Sequence, residues 1–127
     1  MTENKKNRLL IVEDSVDVQK LTKELFESEG YEVNCASNGQ EALDFLRKTS
    51  VKPNLILLDL RMPIMDGYEF RKQQLLDINL ALIRVVVVSA DGNAKEKAAQ
   101  VEAQDFFNKA NGVDEYLEVV KRNCVLS

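Results

Sequence analysis

Five short aliphatic runs, separated by stretches with helical spacing, constrain this chain more than anything else in it. "RLLIV", Arg8 to Val12, recurs in kind as "YEVNCA", "NLILL" and "VVVVS", with a weaker "DFF" at Asp105 to Phe107. Each has strand length. Between them the apolar residues fall at helical intervals: Val18, Leu21 and Leu25 in the first gap, and Ala42, Phe45 and Leu46 in the second. Strict alternation of strand and helix demands crossover connections, hence a parallel sheet with helices on both faces, and right-handed crossovers leave few topologies. The expected fold is α/β: a doubly wound five-stranded parallel sheet, flavodoxin-like, with strand order 2-1-3-4-5 and its chemistry outside the carboxyl ends of the strands.

Local signals agree with that alternation. Gly30 and Pro53 follow the first two helices as stops. The third gap carries Tyr68, Phe70, Leu75 and Leu76 after the turn-prone Asp66-Gly67. The fourth, "NAKEKAAQVEA", has high helix propensity but a thin apolar face, so its helix should be weakly anchored. Val113, Leu117, Val120 and Cys124, widened by Tyr116 and Val119, mark a closing amphipathic helix.

A chain of 127 residues has room for one core, so residues 1–127 are expected to form a single domain, with residues 1–7 loose. The formal net charge of -4 and the lack of clustered Lys and Arg argue against a nucleic-acid partner. No apolar run is long enough to cross a bilayer and no signal-peptide core is present, so the expectation is a cytoplasmic protein without membrane insertion. Cys35 and Cys124 lack metal-ligand spacing and read as buried free thiols. Histidine is absent, so chemistry with protons or phosphate falls to carboxylates and lysines.

The strand ends collect those groups. Strand one runs into Glu13, Asp14 and Ser15, strand three ends on Asp59, strand four on Ser89, and Lys109 follows strand five. An acid after a strand is usually a turn residue or helix cap, but this topology brings all of these to one edge. Three close carboxylates repel by up to about 4 kcal/mol per pair at an effective dielectric near 20, and Lys109 supplies one compensating charge. A hard divalent cation with oxygen ligands supplies the rest, and an all-oxygen site suits Mg2+. Carboxylates, a metal, a lysine and a hydroxyl are equipment for phosphoryl transfer. Aspartate, ionised at neutral pH, attacks phosphorus without a general base, so the apolar strand aims Asp59 as a nucleophile.

At these residues the chain resembles the receiver domain of bacterial two-component response regulators, chemotaxis-regulator-like, from Arg8 to about Cys124. The motif "D-x-x-M-P-x-M-D-G", with "VED", a later "SA" and a lysine, carries the resemblance. It implies that a histidine kinase or histidine phosphotransfer protein phosphorylates Asp59, with Asp14, Asp59 and the Arg61 carbonyl on Mg2+ and Glu13 acting through water. Ser89 and Lys109 would grip the phosphoryl oxygens. Ser89 and the aromatic Phe106 would form a switch, although an aromatic at 106 serves equally well as plain core. A downstream protein target would read the face of helix 4, strand 5 and helix 5. Arg61 and Asp91 would border the path of the water that hydrolyses the phosphoaspartate, and their opposite charges suggest a pairing across it.

Two positions depart from the pattern. Ala110 follows Lys109 where proline is usual, so a trans bond and a rearranged loop are expected there. Glu102 stands where a glycine commonly ends helix four. Other readings fare worse: a dehalogenase-like phosphohydrolase needs Asp-x-Asp after strand one, and a flavin module needs a Ser/Thr-rich first loop where this chain has "EDS". With no output domain in view, output through a protein partner and onward phosphate relay both fit.

Overall fold

Consecutive residues of the central strands point to opposite faces, and both faces are apolar, which is the pattern of a sheet covered on both sides. The computed structural model describes residues 6–124. Its elements run β1 (Arg8–Val12), α1 (Val16–Ser28), β2 (Glu32–Ala36), α2 (Gly39–Lys48), β3 (Leu55–Leu58), α3 (Gly67–Leu76), β4 (Arg84–Ser89), α4 (Ala94–Gln100), β5 (Asp105–Asn108) and α5 (Val113–Asn123), with a 3-10 turn at Lys109–Asn111. All strand pairs are parallel and the order is β2-β1-β3-β4-β5, as expected from the alternation. The loose segment expected at residues 1–7 lies outside the described residues up to position 5.

The sheet separates two cores. Leu10, Val12, Ile56, Leu58, Val85 and Val87 face one side, where Ala42, Leu43 and Leu46 of α2, Phe70 of α3 and Ala98 of α4 cover them. Leu9, Ile11, Leu55, Leu57, Val86 and Val88 face the other, packed by Phe26 of α1 and Val119 and Val120 of α5. Both cysteines are free and half-buried at the edge of this second core. Burial raises the Cys35 thiol and pushes the Cys124 thiol up to about 11, which favours the protonated form of both.

Several expected core positions are instead exposed. Leu21, Leu76 and Val113 face solvent, and Tyr68 and Leu75 are only partly covered. In α1 the inward stripe shifts to Phe26, flanked by Leu25. In α3 two polar residues are buried: Arg71 donates from Nε to the Val101 carbonyl (2.9 Å), from NH1 to Gln74 Oε1 (2.8 Å) and from NH2 to the Glu102 carbonyl (2.6 Å). Gln74 in turn donates to the Leu80 and Ile83 carbonyls, both at 3.0 Å. These hydrogen bonds offset the cost of desolvating the two side chains, which take interior positions while Leu75 and Leu76 stay outside.

Caps fix where the helices begin. Ser15 accepts from the Val18 amide at the start of α1, Asn38 from Glu41 at α2, and Asp66 from Glu69 at α3. By contrast α4 is seven residues long and Asn93 makes no side-chain cap, yet the weak anchoring expected of it is not what the packing shows, since Ala94 and Ala98 are buried. One tie at its start comes from β5, where Asn108 Oδ1 accepts from the Ala94 amide at 3.2 Å.

Candidate functional site

Glu13, Asp14, Asp59, Ser89 and Lys109 sit where their strands end, so the parallel sheet delivers them to one edge. The Glu13 amide donates to the Ala36 carbonyl (2.9 Å) and the Asp59 amide to the Val12 carbonyl (3.0 Å), extending the ladder by one rung on each side of β1. One oxygen from each of Glu13, Asp14 and Asp59 lies within 4.8 Å of the others, with Glu13 buried, Asp59 half-buried and Asp14 exposed. Glu13 is held from three directions. Its Oε2 accepts from the Ser15 amide (3.0 Å), its Oε1 from Lys109 Nζ (3.1 Å), and its carbonyl from Gln19 of α1, which also donates to Ser37 Oγ at 3.1 Å.

Crowding at the strand ends acts on Asp14. A hydrogen bond with Glu13, then burial, then the Glu13 charge raise the Asp14 carboxyl above its ordinary value, against the pull of Lys109. Lys109 reaches the acids from the 3-10 turn, and no cis peptide bond occurs among the described residues. The substitution to Ala110 therefore leaves the lysine in place, because its stem is long and flexible. Below the acids, Tyr116 of α5 stacks on Phe107 at 4.2 Å between centroids and lines a cavity of about 160 Å³ together with Glu13, Asp59 and Lys109. Burial first, then the charges of Glu13 and Asp59, raise its phenol above the ordinary value.

The loop after Asp59 is shaped by close approaches. A Cβ on Gly67 would lie 2.6 Å from the Asp59 carbonyl oxygen and 2.7 Å from Leu60 Cα, so only glycine fits there, and its amide donates to the Leu60 carbonyl at 3.0 Å. Ile64 takes φ 69°, a strained value for a β-branched residue, at the tip of a turn closed by the Met65 amide and the Pro63 carbonyl at 2.8 Å. The Arg61 amide donates to Asp59 Oδ1 at 3.0 Å.

Across the pocket, Arg61 and Asp91 pair at 3.1 Å between NH2 and Oδ2, the contact suggested by their charges. Asp91 is engaged more heavily than that. Lys97 Nζ donates to both of its oxygens at 2.8 Å and the Ser89 hydroxyl donates to Oδ1. The Lys97 ammonium, then the Ser89 hydroxyl, hold the Asp91 carboxyl well below the usual carboxylate range. Lys97 is the residue that sequence reasoning missed. Its helix is charged all along, and only the eight-residue step from Ser89 through a turn of helix brings it back over the strand end. Phe106 is half-buried against the α4 side of the core.

The donor set suits a hard cation: three carboxylates, with no sulfur or imidazole and one ammonium against three acids. The class follows from the strand order, a doubly wound sheet with its chemistry gathered at the carboxyl edge. Within that class the chain belongs to the response regulator receiver domain family, whose profile matches residues 9–121. It is 36% identical over 118 residues to sporulation initiation phosphotransferase F of Bacillus subtilis (strain 168), with 91% of each chain covered. Among solved structures it resembles the signal receiver domain of a signal transduction histidine kinase from Syntrophus aciditrophicus, at 32% identity and TM-score 0.82 over 93% of this chain and 89% of that one. It also resembles the response regulator TrrA of Thermotoga maritima, solved in complex with Mg2+ and BeF, at 29% identity and TM-score 0.78 over 92% and 98%. Two-component signalling is therefore the setting in which this chain works. No helix among the described residues is long and apolar enough to cross a membrane.

Proposed function

We propose that residues 1–127 act as one cytoplasmic receiver domain in which Asp59 accepts a phosphoryl group from a histidine kinase or a histidine phosphotransfer protein. The observation that carries this reading is the convergence of Glu13, Asp14 and Asp59 within 4.8 Å, with Lys109 on Glu13. In the transfer an Asp59 carboxylate oxygen attacks phosphorus. The bond from phosphorus to the donor histidine nitrogen breaks, its electron pair stays on that nitrogen, and the imidazole takes up a proton from water. Asp14, Asp59 and the Arg61 carbonyl would hold Mg2+, with Glu13 acting through water. The ion would neutralise charge on the phosphoryl oxygens.

The chain's own residues supply the rest. The amide of Arg61 orients the Asp59 carboxylate, Lys109 offers an ammonium to the incoming oxygens, and Ser89 offers a hydroxyl. Ser89 and Phe106 would form the switch, and α4, β5 and α5 would present the surface that a downstream protein reads. The relative named a phosphotransferase supports onward relay as an equal use of the same chemistry. The chain is then a phosphoacceptor with slow self-catalysed gain and loss of phosphate, not an enzyme acting on a separate substrate.

Incubation with acetyl phosphate and Mg2+ followed by intact mass tests the assignment. One phosphoryl group should be added to the wild-type chain and none to Asp59→Asn. Labelling retained in full by that variant would place the acceptor elsewhere.

A further inference from the structure

The Asp91 carboxylate occupies an anion site built from one hydroxyl and two cations. Ser89 Oγ donates to Oδ1, Lys97 Nζ bridges both oxygens at 2.8 Å, and Arg61 NH2 lies 3.1 Å from Oδ2. The Lys97 side chain is only 15% exposed, unusual for a lysine on a short polar helix, and its Nζ lies 3.5 Å from Ser89 Oγ. These residues and Asp59 line one cavity of about 130 Å³. A phosphoryl group on Asp59 would thus enter the same pocket and meet the same donors.

A phosphoryl group carries about -1.5 to -2 charges at neutral pH and three strong acceptor oxygens, whereas a carboxylate carries one charge and two oxygens. Two anions sharing a pocket repel, and the one with more charge and more acceptors takes the donors. We propose that Asp91 is an internal stand-in for the phosphoryl group. It holds Ser89 and Lys97 while Asp59 is free and yields them when Asp59 is phosphorylated, which makes Lys97 a second phosphoryl-binding cation beside Lys109. The inference rests on the reading of Asp59 as the acceptor. Because Lys97 belongs to α4, which is short and lacks a side-chain cap, the exchange pulls that helix from the Asp91 loop toward Asp59.

The test is a titration with beryllofluoride in saturating Mg2+, after Mg2+ affinity has been measured alone. Lys97→Met and Asp91→Asn break the same ion pair, so a contact serving only to brace α4 predicts shifts in the same direction. Exchange predicts opposite ones. Lys97→Met should weaken beryllofluoride binding about tenfold, the effect of losing one charged hydrogen bond, and Asp91→Asn should tighten it several-fold, both with Mg2+ affinity unchanged. Lys97→Arg should restore most of the binding, which separates charge from packing. Parallel shifts in the two variants, or none, would overturn the exchange. Binding retained by Asp59→Asn would instead overturn the acceptor reading, and the exchange with it.

Discussion

Arg61 contributes to the site through two different atoms, and they do different work. Its amide orients Asp59, and its guanidinium, 81% exposed, spans the pocket mouth to Asp91. An exposed ion pair adds only about 0 to 1 kcal/mol to stability, yet about 1.4 kcal/mol of extra barrier to an attacking water lengthens a phosphate lifetime roughly tenfold. Arg61→Ala should therefore speed loss of the phosphoryl group several-fold while leaving the denaturation midpoint nearly unchanged. Decay of the phosphorylated chain in Mg2+ after donor removal measures this, and an unchanged or slower decay would show that the pair gates nothing. The opposite charges at 61 and 91 were legible in the sequence. The competing hold of Lys97 on the same carboxylate was not, because nothing in a run of alternating Lys, Glu and Ala marks one lysine as inward.

The ends of α1 and α4 show how much an element's sequence reveals. In α1 the Tyr31 amide donates to the Phe26 carbonyl (3.1 Å) and the Gly30 amide to Glu27 (3.0 Å), with Gly30 at φ 94° and the Tyr31 and Phe26 rings packed edge to face. In α4 the Ala103 amide donates to Ala98 (2.9 Å) and the Glu102 amide to Ala99 (3.3 Å), the same motif with Glu102 at φ 54°. Glycine announces the first stop. Glutamate hides the second, which is held by the buried Arg71 on the Val101 and Glu102 carbonyls from a helix thirty residues earlier. Apolar periodicity located all five helices but misplaced part of the inner faces of α1 and α3, and in α3 the reason is that it cannot see Arg71 and Gln74 satisfied in the interior. A comparable clamp joins β5 to α5: Asp105 accepts from Arg122 Nε (2.8 Å) and from Asn123 Nδ2 (2.8 Å). Burial works to raise the Asp105 carboxyl, but the bonds from Arg122, Asn123 and the Phe106 amide outweigh it and leave the group below its ordinary value. A lowered carboxyl stabilises the fold above its unfolded value near about 3.9 and loses that contribution as pH falls through the folded value. Asp105→Asn should cost about 1 kcal/mol at pH 7, discounted for the exposed Arg122, and the gap to wild type should close below about pH 4 in urea titrations. A gap independent of pH would assign the loss to packing.

Over the whole molecule, the acids gathered at the strand ends should make the stability of the fold depend on cations. The two-sided core was legible from the alternation of strand-length and helical segments, the sheet order from the flavodoxin-like fold that alternation suggests, and the acidic cluster from the acids that stand at the strand ends. A ligand that binds only the folded chain stabilises it by about 2.7 kcal/mol at a hundredfold excess over Kd. Mg2+ should therefore raise the melting temperature by several degrees. Asp14→Asn, which removes one repelling charge, should melt higher than wild type without the ion and gain little with it; a full Mg2+ shift in that variant would remove Asp14 from the cation site. The sheet itself has a further consequence. Leu57 and Leu58 are adjacent in sequence, yet one answers to Phe26 and Val120 and the other to Leu43 and Phe70. The strands thus act as a partition between two chambers that share a wall but few occupants. A change of volume in the α1 and α5 chamber is therefore refitted by that chamber's own residues, with no matching change required under α2, α3 and α4.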